Sequence, residues 1–425
     1  MVNVKNMRVF IIVLILIFPV ASNLVTHAGS VILVLLTLTG LLTSVSSKNR
    51  PPLSKEEKWM MWAFIAYFGI YLLSFSLNGL LGNLEDPRLR HLDQRIRMLF
   101  MVPIFLLLRR IQVPQWALWY SVTMGAIIAG IYAMLHSFWL DPGIRVAGSY
   151  HAIAFGDLAI VLAFMSVPAL NYFTQKHKVY ALIPLTAVLL GTAASILSGT
   201  RGSWIALPAF TLLVFFYLGK FIKLIPRILT LFVICIVFFS LYKVPSTQIA
   251  NRIQLVFTEM TDYFQGNIKQ TSTHERISTH ERLETWLAAL AIFKQHAIIG
   301  AGPGSFATLL RKMIAEGKRS EIVSRYNRPP NAYLAAMADC GFLGLLALLG
   351  ILGLPLWLMI SYIRQDGMIR DLAYAGIVLV IGFSHFGLTE CIFGRNVNIS
   401  FYLIMLATIL SIASNERYSP TSTYA

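Results

Sequence analysis

YLAAMADCGFLGLLALLGILGLPLWLMISYI, residues 333–363, carries a single charged side chain, Asp339. An α-helix crosses the hydrocarbon core of a bilayer in about 20 residues. This run is longer than that, with room for a re-entrant turn ahead of the span proper. Similar apolar runs recur at 8–24, 29–46, 59–80, 98–108, 114–139, 151–173, 179–198, 203–219, 224–242, 371–393 and 396–414. The expectation is an all-α, polytopic integral membrane protein with about twelve transmembrane helices. Residues 1–242 hold spans 1–9, residues 243–331 form one large basic loop domain, and residues 332–425 hold spans 10–12 and a short tail. No window alternates at period two over the length of a barrel strand, so a membrane β-barrel is not expected. The first run, Arg8 to Leu24, is long for a signal peptide and reads as a first span.

Composition agrees with this reading. Apolar residues make up 57% of the chain and charged residues 13%, roughly half the charged share of an average soluble domain. Cys235, Cys340 and Cys391 all fall inside apolar runs, which fits buried thiols better than a disulfide framework or a metal cluster. The net charge of +16 fits contact with anionic lipid heads and the positive-inside rule. No motif for nucleic acid is present.

Lys and Arg in the short connections set the orientation. With the N-terminus in the cytoplasm, the cytoplasmic segments hold sixteen of them and the opposite short segments seven. The long loop is set aside, because long loops translocate largely regardless of charge. Both termini are therefore expected in the cytoplasm. Arg201, the 81–97 segment, the long loop and Arg395 are then expected together on the outer face. There they have no access to cytoplasmic nucleotide sugars or ATP. Gly82 to Arg97, polar with interleaved leucines, reads as a short interfacial amphipathic helix or as a solvated connection.

Five segments carry candidate chemistry. In Ser198-Gly199-Thr200-Arg201-Gly202-Ser203 an Arg sits between small residues at a membrane boundary. A guanidinium is a planar fork of donors that matches phosphate; the alternative is an Arg snorkelling to lipid heads. A duplicated segment places Arg276 and Arg282 two residues after His274 and His280. They are either further phosphate ligands with a titratable neighbour or a solvated loop face. Leu283, Trp286, Leu287, Leu290 and Phe293 recur with helical spacing, so Arg282 to His296 reads as a helix. Ile299 to Phe306, with alternating glycines and Pro303, reads as a tight turn rather than a dinucleotide loop.

At the end of the loop, Pro329-Pro330 stops regular structure and Asn331 is placed to cap the next helix, near Arg328. Last, His385, Glu390 and Arg395 lie in or beside the eleventh run, where ionisable groups are costly and are candidates for function; a structural network is the alternative. Asp157 and Asp339 are weaker cases of the same kind.

Taken together these segments resemble the O-antigen ligase family, within a superfamily that includes O-antigen polymerases and protein O-oligosaccharyltransferases. The resemblance rests on Gly199-Thr200-Arg201-Gly202-Ser203, on Arg282-x3-Trp286 leading into Gly300-Ala301-Gly302-Pro303-Gly304, and on Asn331-x-Tyr333-Leu334 followed by Gly341-Phe342-Leu343-Gly344. It implies a GT-C-like, metal-independent, inverting glycosyltransferase of the bacterial inner membrane, with no cofactor. Such an enzyme moves a glycan from undecaprenyl diphosphate to lipid A–core oligosaccharide on the periplasmic side, in lipopolysaccharide biosynthesis. It further implies that Arg201 and Arg282 bind the diphosphate, with Arg276, Arg328 and Asn331 as accessory residues. The family usually has a His where this chain has Pro330, which has no group to accept a proton. His280, Glu390 and His385 are the candidate bases. A polymerase or a protein O-oligosaccharyltransferase would keep the chemistry and change the acceptor. A lipid-linked glycan transporter or flippase is the alternative of another class.

Overall fold

The computed structural model describes residues 4–45, 53–82, 84–142, 144–219 and 279–417. The ninth expected span, Cys235, His274, Arg276 and residues 243–278 of the long loop lie outside them. The α-helices are α1 Val4–Leu24, α2 Ala28–Val45, α3 Lys55–Leu80, α4 Asp93–Ile96, α5 Met101–Ile111, α6 Gln115–Leu135, α7 Ala152–Met165, α8 Ala169–Lys176, α9 Leu182–Leu197, α10 Arg201–Trp204, α11 Leu207–Leu218, α12 Thr279–Gln295, α13 Phe306–Ala315, α14 Ala332–Tyr362, α15 Met368–Phe386 and α16 Asn396–Arg417. No strand occurs among the described residues.

Seven of the helical stretches are long and apolar enough to cross a membrane. α7 and α8 together make a further candidate, bent by 49° where Pro168 cannot donate to the helical ladder. The expected runs inside the described residues are mainly helical, some with a break. Those at α2, α5 and α11 are shorter than a full crossing.

α16 sits at the centre, buried over its entire apolar window. A helix that is apolar all round belongs inside a bundle, and its polar groups find partners there. The Tyr402 hydroxyl donates to the Ile351 carbonyl at 2.7 Å, and Asn398 Nδ2 to the Ile392 carbonyl at 3.1 Å. Tyr402 also packs on Phe383 and Phe393, with ring centroids 5.0 and 5.3 Å away. That cluster fixes the connection between α15 and α16 against the core.

The basic connections separate to two ends of the bundle. At one end Arg109 pairs with Glu57 at 3.0 Å, both buried. Nearby, Arg110 donates to Thr43, Arg8 to Gln112, and Arg417 lies over Tyr362. At the other end Arg95 donates to Phe393, Arg145 to Ser198, and Arg282 to Thr389.

The expected amphipathic helix over 82–97 does not form as one element. Residues 84–88 are not helical, and the chain then makes short turns over Leu89–Leu92, α4 and Arg97–Phe100. Pro87 explains this, since the residue before a proline is pushed out of the α region.

α14 is two helices joined across a break. Cys340 has φ −134° and ψ 15°, and Gly341 has φ 64° and ψ −150°. A break at this depth frees backbone groups that must be paired inside the protein. The turn that follows α12 pairs them. Ala301 and Gly302 donate to the carbonyls of Ala338 and Asp339, both at 3.0 Å, and Phe342 donates to Ala297 at 2.8 Å. α3 closes the arrangement: Ser74 Oγ donates to Ile299 at 2.6 Å and to Asp339 at 3.1 Å. The segment before the break joins α12 and α13 in a second small core around Ala288, Ile292, Phe306, Leu310 and Ala338.

Gly341 adopts a backbone that essentially only glycine adopts, and a Cβ there would strike the Ile298 backbone. Gly341→Ala is expected to cost about 1–3 kcal/mol from the backbone alone. Thermal unfolding of the detergent-solubilised protein measures it; an unchanged midpoint contradicts the break as drawn.

Candidate active site

Arg282 lies in the first turn of α12, which starts at Thr279, earlier than the periodicity of 282–296 indicates. Its Nη1 donates to the Thr389 carbonyl at 2.9 Å. Thr389 also meets α10: a Cβ added to Gly202 would lie 2.5 Å from Thr389 Oγ1. The Arg201–Gly202 backbone and the Arg282 guanidinium, more than seventy positions apart in the chain, therefore converge on one residue.

The turn that presents Arg201 is pinned to its surroundings. Gly199 ends α9 with φ 65°. Thr200 Oγ1 donates to the Ala152 carbonyl at 2.9 Å, and Ser203 Oγ to Asp157 Oδ1 at 2.6 Å. Arg145 Nε donates to the Ser198 carbonyl at 3.0 Å. Buried Asp157 thus acts here as a local acceptor, and the charges of Glu390, Arg395 and Arg282 all bear on it. Arg395 and Arg145 bear likewise on His151, whose Nδ1 accepts from the Ile153 N–H.

Asn331 caps α14 as expected. Its Oδ1 accepts from the N–H groups of Tyr333 and Leu334, both at 3.0 Å, and its Nδ2 donates to Leu388 at 3.0 Å. The Ala332 N–H donates to Gly387 at 2.7 Å, and the Tyr333 hydroxyl to Ser384 at 2.9 Å. Trp286, one turn along α12 from Arg282, donates Nε1–H to the Pro330 carbonyl at 3.4 Å. Position 330 therefore stands within the same neighbourhood as Arg282 and Thr389. Glu281 anchors the start of α12, accepting from Arg325 at 2.8 Å and from the Tyr326 hydroxyl at 3.0 Å. Burial, opposed by Arg325 and reinforced by Glu281, pushes the Tyr326 phenol up to about 12, so at neutral pH it stays a donor.

Residues 186–349 match the family model described as O-antigen ligase. This segment is an O-antigen ligase family domain. Over 413 residues the chain is also 24% identical to an uncharacterized protein of Haemophilus influenzae (strain ATCC 51907 / DSM 11121 / KW20 / Rd). That likeness covers 96% of this chain and 100% of the relative. Membership supports ligase- or polymerase-type glycan transfer in general, from a lipid-linked glycan to a lipid acceptor.

The O-antigen ligase domain contains Arg201, Arg282, Pro330 and Asn331. Thr389, Glu390 and Arg395 lie outside the matched segment, yet Thr389 accepts from Arg282 and Arg395 lies against Glu390. Glu390 is not inside the eleventh helix. α15 stops at Phe386, and Glu390 sits on the following connection, buried and 3.5 Å from Arg395. His385 remains in the last turn of α15, where its Nδ1 donates to the Ile381 carbonyl at 2.8 Å. His280 is part of the first turn of α12. Arg328 is not bonded to the Arg282 group: it donates to Gln94 Oε1 and packs over Gly394. Sequence reasoning passed over Thr389, Arg145 and His151. A threonine on an apolar run gives no chemical signal, and Thr389 contributes through its backbone carbonyl.

Asn331→Ala removes a cap and is expected to cost about 1–2 kcal/mol of stability. Asn331→Asp keeps the accepting oxygen and loses only the bond to Leu388, so it is expected to cost less. Thermal unfolding of the two variants side by side checks this order, and equal losses contradict it.

Proposed function

We propose that the chain is an O-antigen ligase: it transfers a glycan from undecaprenyl diphosphate to a hydroxyl of lipid A–core oligosaccharide. On this reading it is a GT-C-like, inverting glycosyltransferase that needs no metal. It works at the periplasmic face of the bacterial inner membrane, with both termini in the cytoplasm. The observation that carries the reading is the meeting of Arg282 and the Arg201–Gly202 backbone at Thr389.

The chemistry follows from the charges. The acceptor hydroxyl attacks the anomeric carbon of the donor sugar, and the bond from that carbon to the diphosphate oxygen breaks. The electron pair leaves with the diphosphate, and the configuration inverts. Arg201 and Arg282 neutralise the negative charge that grows on the leaving group, the kind of placed electrostatic stabilisation that lowers such barriers most. The hydroxyl proton needs an acceptor as the new bond forms. Pro330 has none to offer. Glu390 follows the residue that Arg282 binds, is buried, and is kept near Arg395; we assign it as the base in preference to His280 and His385.

The assay is transfer by the purified protein from a defined polyprenyl-diphosphate donor, with lipid A–core, a second donor glycan or a Ser/Thr peptide as acceptor. Arg282→Ala and Arg201→Ala are each expected to lower the rate by about 10²–10³-fold, and Glu390→Gln by about 10²–10⁴-fold, with protein level unchanged. Transfer only to a donor glycan makes the chain a polymerase, and transfer only to peptide a protein O-oligosaccharyltransferase. Movement of the lipid-linked glycan across the membrane without transfer makes it a flippase. Normal transfer by both arginine variants overturns the diphosphate assignment.

A further inference from the structure

Across the 392–394 turn from Arg282 lies a second basic concavity. It has a volume of about 560 Å³ and lies between the Glu85–Arg95 segment and the Pro303–Arg311 turn and helix. Arg90, Arg95, Arg311 and Arg328 line it together with Thr308 and Asn327. Its carboxylates are already engaged. Asp86 holds Arg88 and His91; the Arg88 guanidinium, with His91, keeps that carboxyl well below the ordinary carboxylate range. Glu85 pairs with Lys312 at 2.6 Å, and Asp339 with Arg95 at 3.2 Å. Arg90 and Arg311 have no carboxylate partner among the described residues. Arg95 is 3% exposed, and its Nε has no hydrogen-bond partner there. A cavity in which two guanidinium groups, Arg90 and Arg311, lack a carboxylate among the described residues suits a phosphate, which accepts from such forks in bidentate fashion. At this volume it also has room for the sugar that carries the phosphate.

The cavity is tied to the reacting centre. Arg95 donates to the Phe393 carbonyl at 3.2 Å, and Gln94, which Arg328 holds, donates to the Gly394 carbonyl at 2.6 Å. The turn they grip leads from Glu390 to Arg395. His91 packs directly on Gly304, where a Cβ would overlap its ring, so the glycine turn forms part of the wall.

We propose that this cavity binds a phosphorylated sugar of the acceptor, at a site separate from the diphosphate site at Arg282. The role as acceptor site rests on the transfer reaction proposed above; binding of a phosphosugar does not. Arg90 and Arg311 are exposed, so their replacement spares the fold.

The test uses the full-length protein in phosphatidylcholine nanodiscs, titrated with glucose 6-phosphate, glucose and inorganic phosphate. Glucose 6-phosphate is expected to bind saturably and more tightly than either other probe. The Arg90→Gln/Arg311→Gln double variant is expected to weaken it at least tenfold, and Arg282→Ala to leave it unchanged. Absence of binding, binding that survives the double variant, or binding lost in Arg282→Ala overturns the site. If the double variant instead loses only retention of phosphatidylglycerol in mixed nanodiscs, the cavity holds a lipid headgroup and the proposal is wrong. A second arm compares transfer to a phosphorylated and a phosphatase-treated acceptor. The double variant is expected to raise KM for the first about tenfold, with kcat and donor KM unchanged, and to leave the second unaffected. Equal effects on both acceptors overturn the acceptor role. If the wild-type protein transfers nothing, the proposed function falls while the binding arm still decides the site.

Discussion

Breaking α14 at Cys340 and Gly341 frees backbone groups in the interior, and the arrangement of the site depends on how they are satisfied. Orphaned N–H and carbonyl groups are costly wherever water cannot reach them. The turn after α12 pairs them within the same chain. That fixes α12 beside α14, which brings Arg282 over the connection after α15. It also leaves Asp339 at the break, where Arg95 reaches it. One set of backbone hydrogen bonds thus sets the position of both basic groups on this end of the bundle.

Those groups are separated by the short segment from Thr389 to Arg395. On one side are Arg282 and the start of α10; on the other are Arg95, Gln94 and Arg328. Both sides hold the segment through its backbone carbonyls, at Thr389, Phe393 and Gly394. Aromatic packing of Phe393 against Tyr402 and Phe383 ties it to the core. A segment fixed in this way keeps its side chains in place without ordering a loop at each turnover, and preorganisation of that kind is what electrostatic catalysis requires.

Much of this was legible in the sequence, for identifiable reasons. Hydropathy located the helices because each must satisfy its own backbone in lipid. Asn331 was legible as a cap because capping is a local rule of side-chain chemistry. Arg201 stood out because it lies between small residues at a membrane boundary, and Arg282 because it recurs in a duplicated segment that opens a helix. Their meeting point did not stand out, since Thr389 acts through a carbonyl that every residue possesses. The end of α15 was also misplaced: an apolar run through Phe393 gives no sign that the helix stops at Phe386. Over 82–97 the interleaved leucines outweighed Pro87 in the reading, whereas in the fold the proline decides. The second cavity was invisible for a different reason. Its arginines come from segments more than two hundred positions apart, and only the break in α14 brings them together.

Pro330 stands where the resemblance to the O-antigen ligase family leads to the expectation of a His. Consecutive prolines hold Arg328 and Pro329 out of the α region, so the chain enters α14 extended and the helix starts sharply under the Asn331 cap. A base at 330 would sit on that entry; this chain has a rigid entry there instead. Placing the proton acceptor at Glu390 puts it one residue beyond the carbonyl that receives Arg282. On the ligase reading, the group that takes the hydroxyl proton and the group that stabilises the departing diphosphate then share one short stretch of backbone. A displacement of Thr389 would misplace both at once. The two halves of the displacement, proton removal and leaving-group stabilisation, would therefore be gained or lost together.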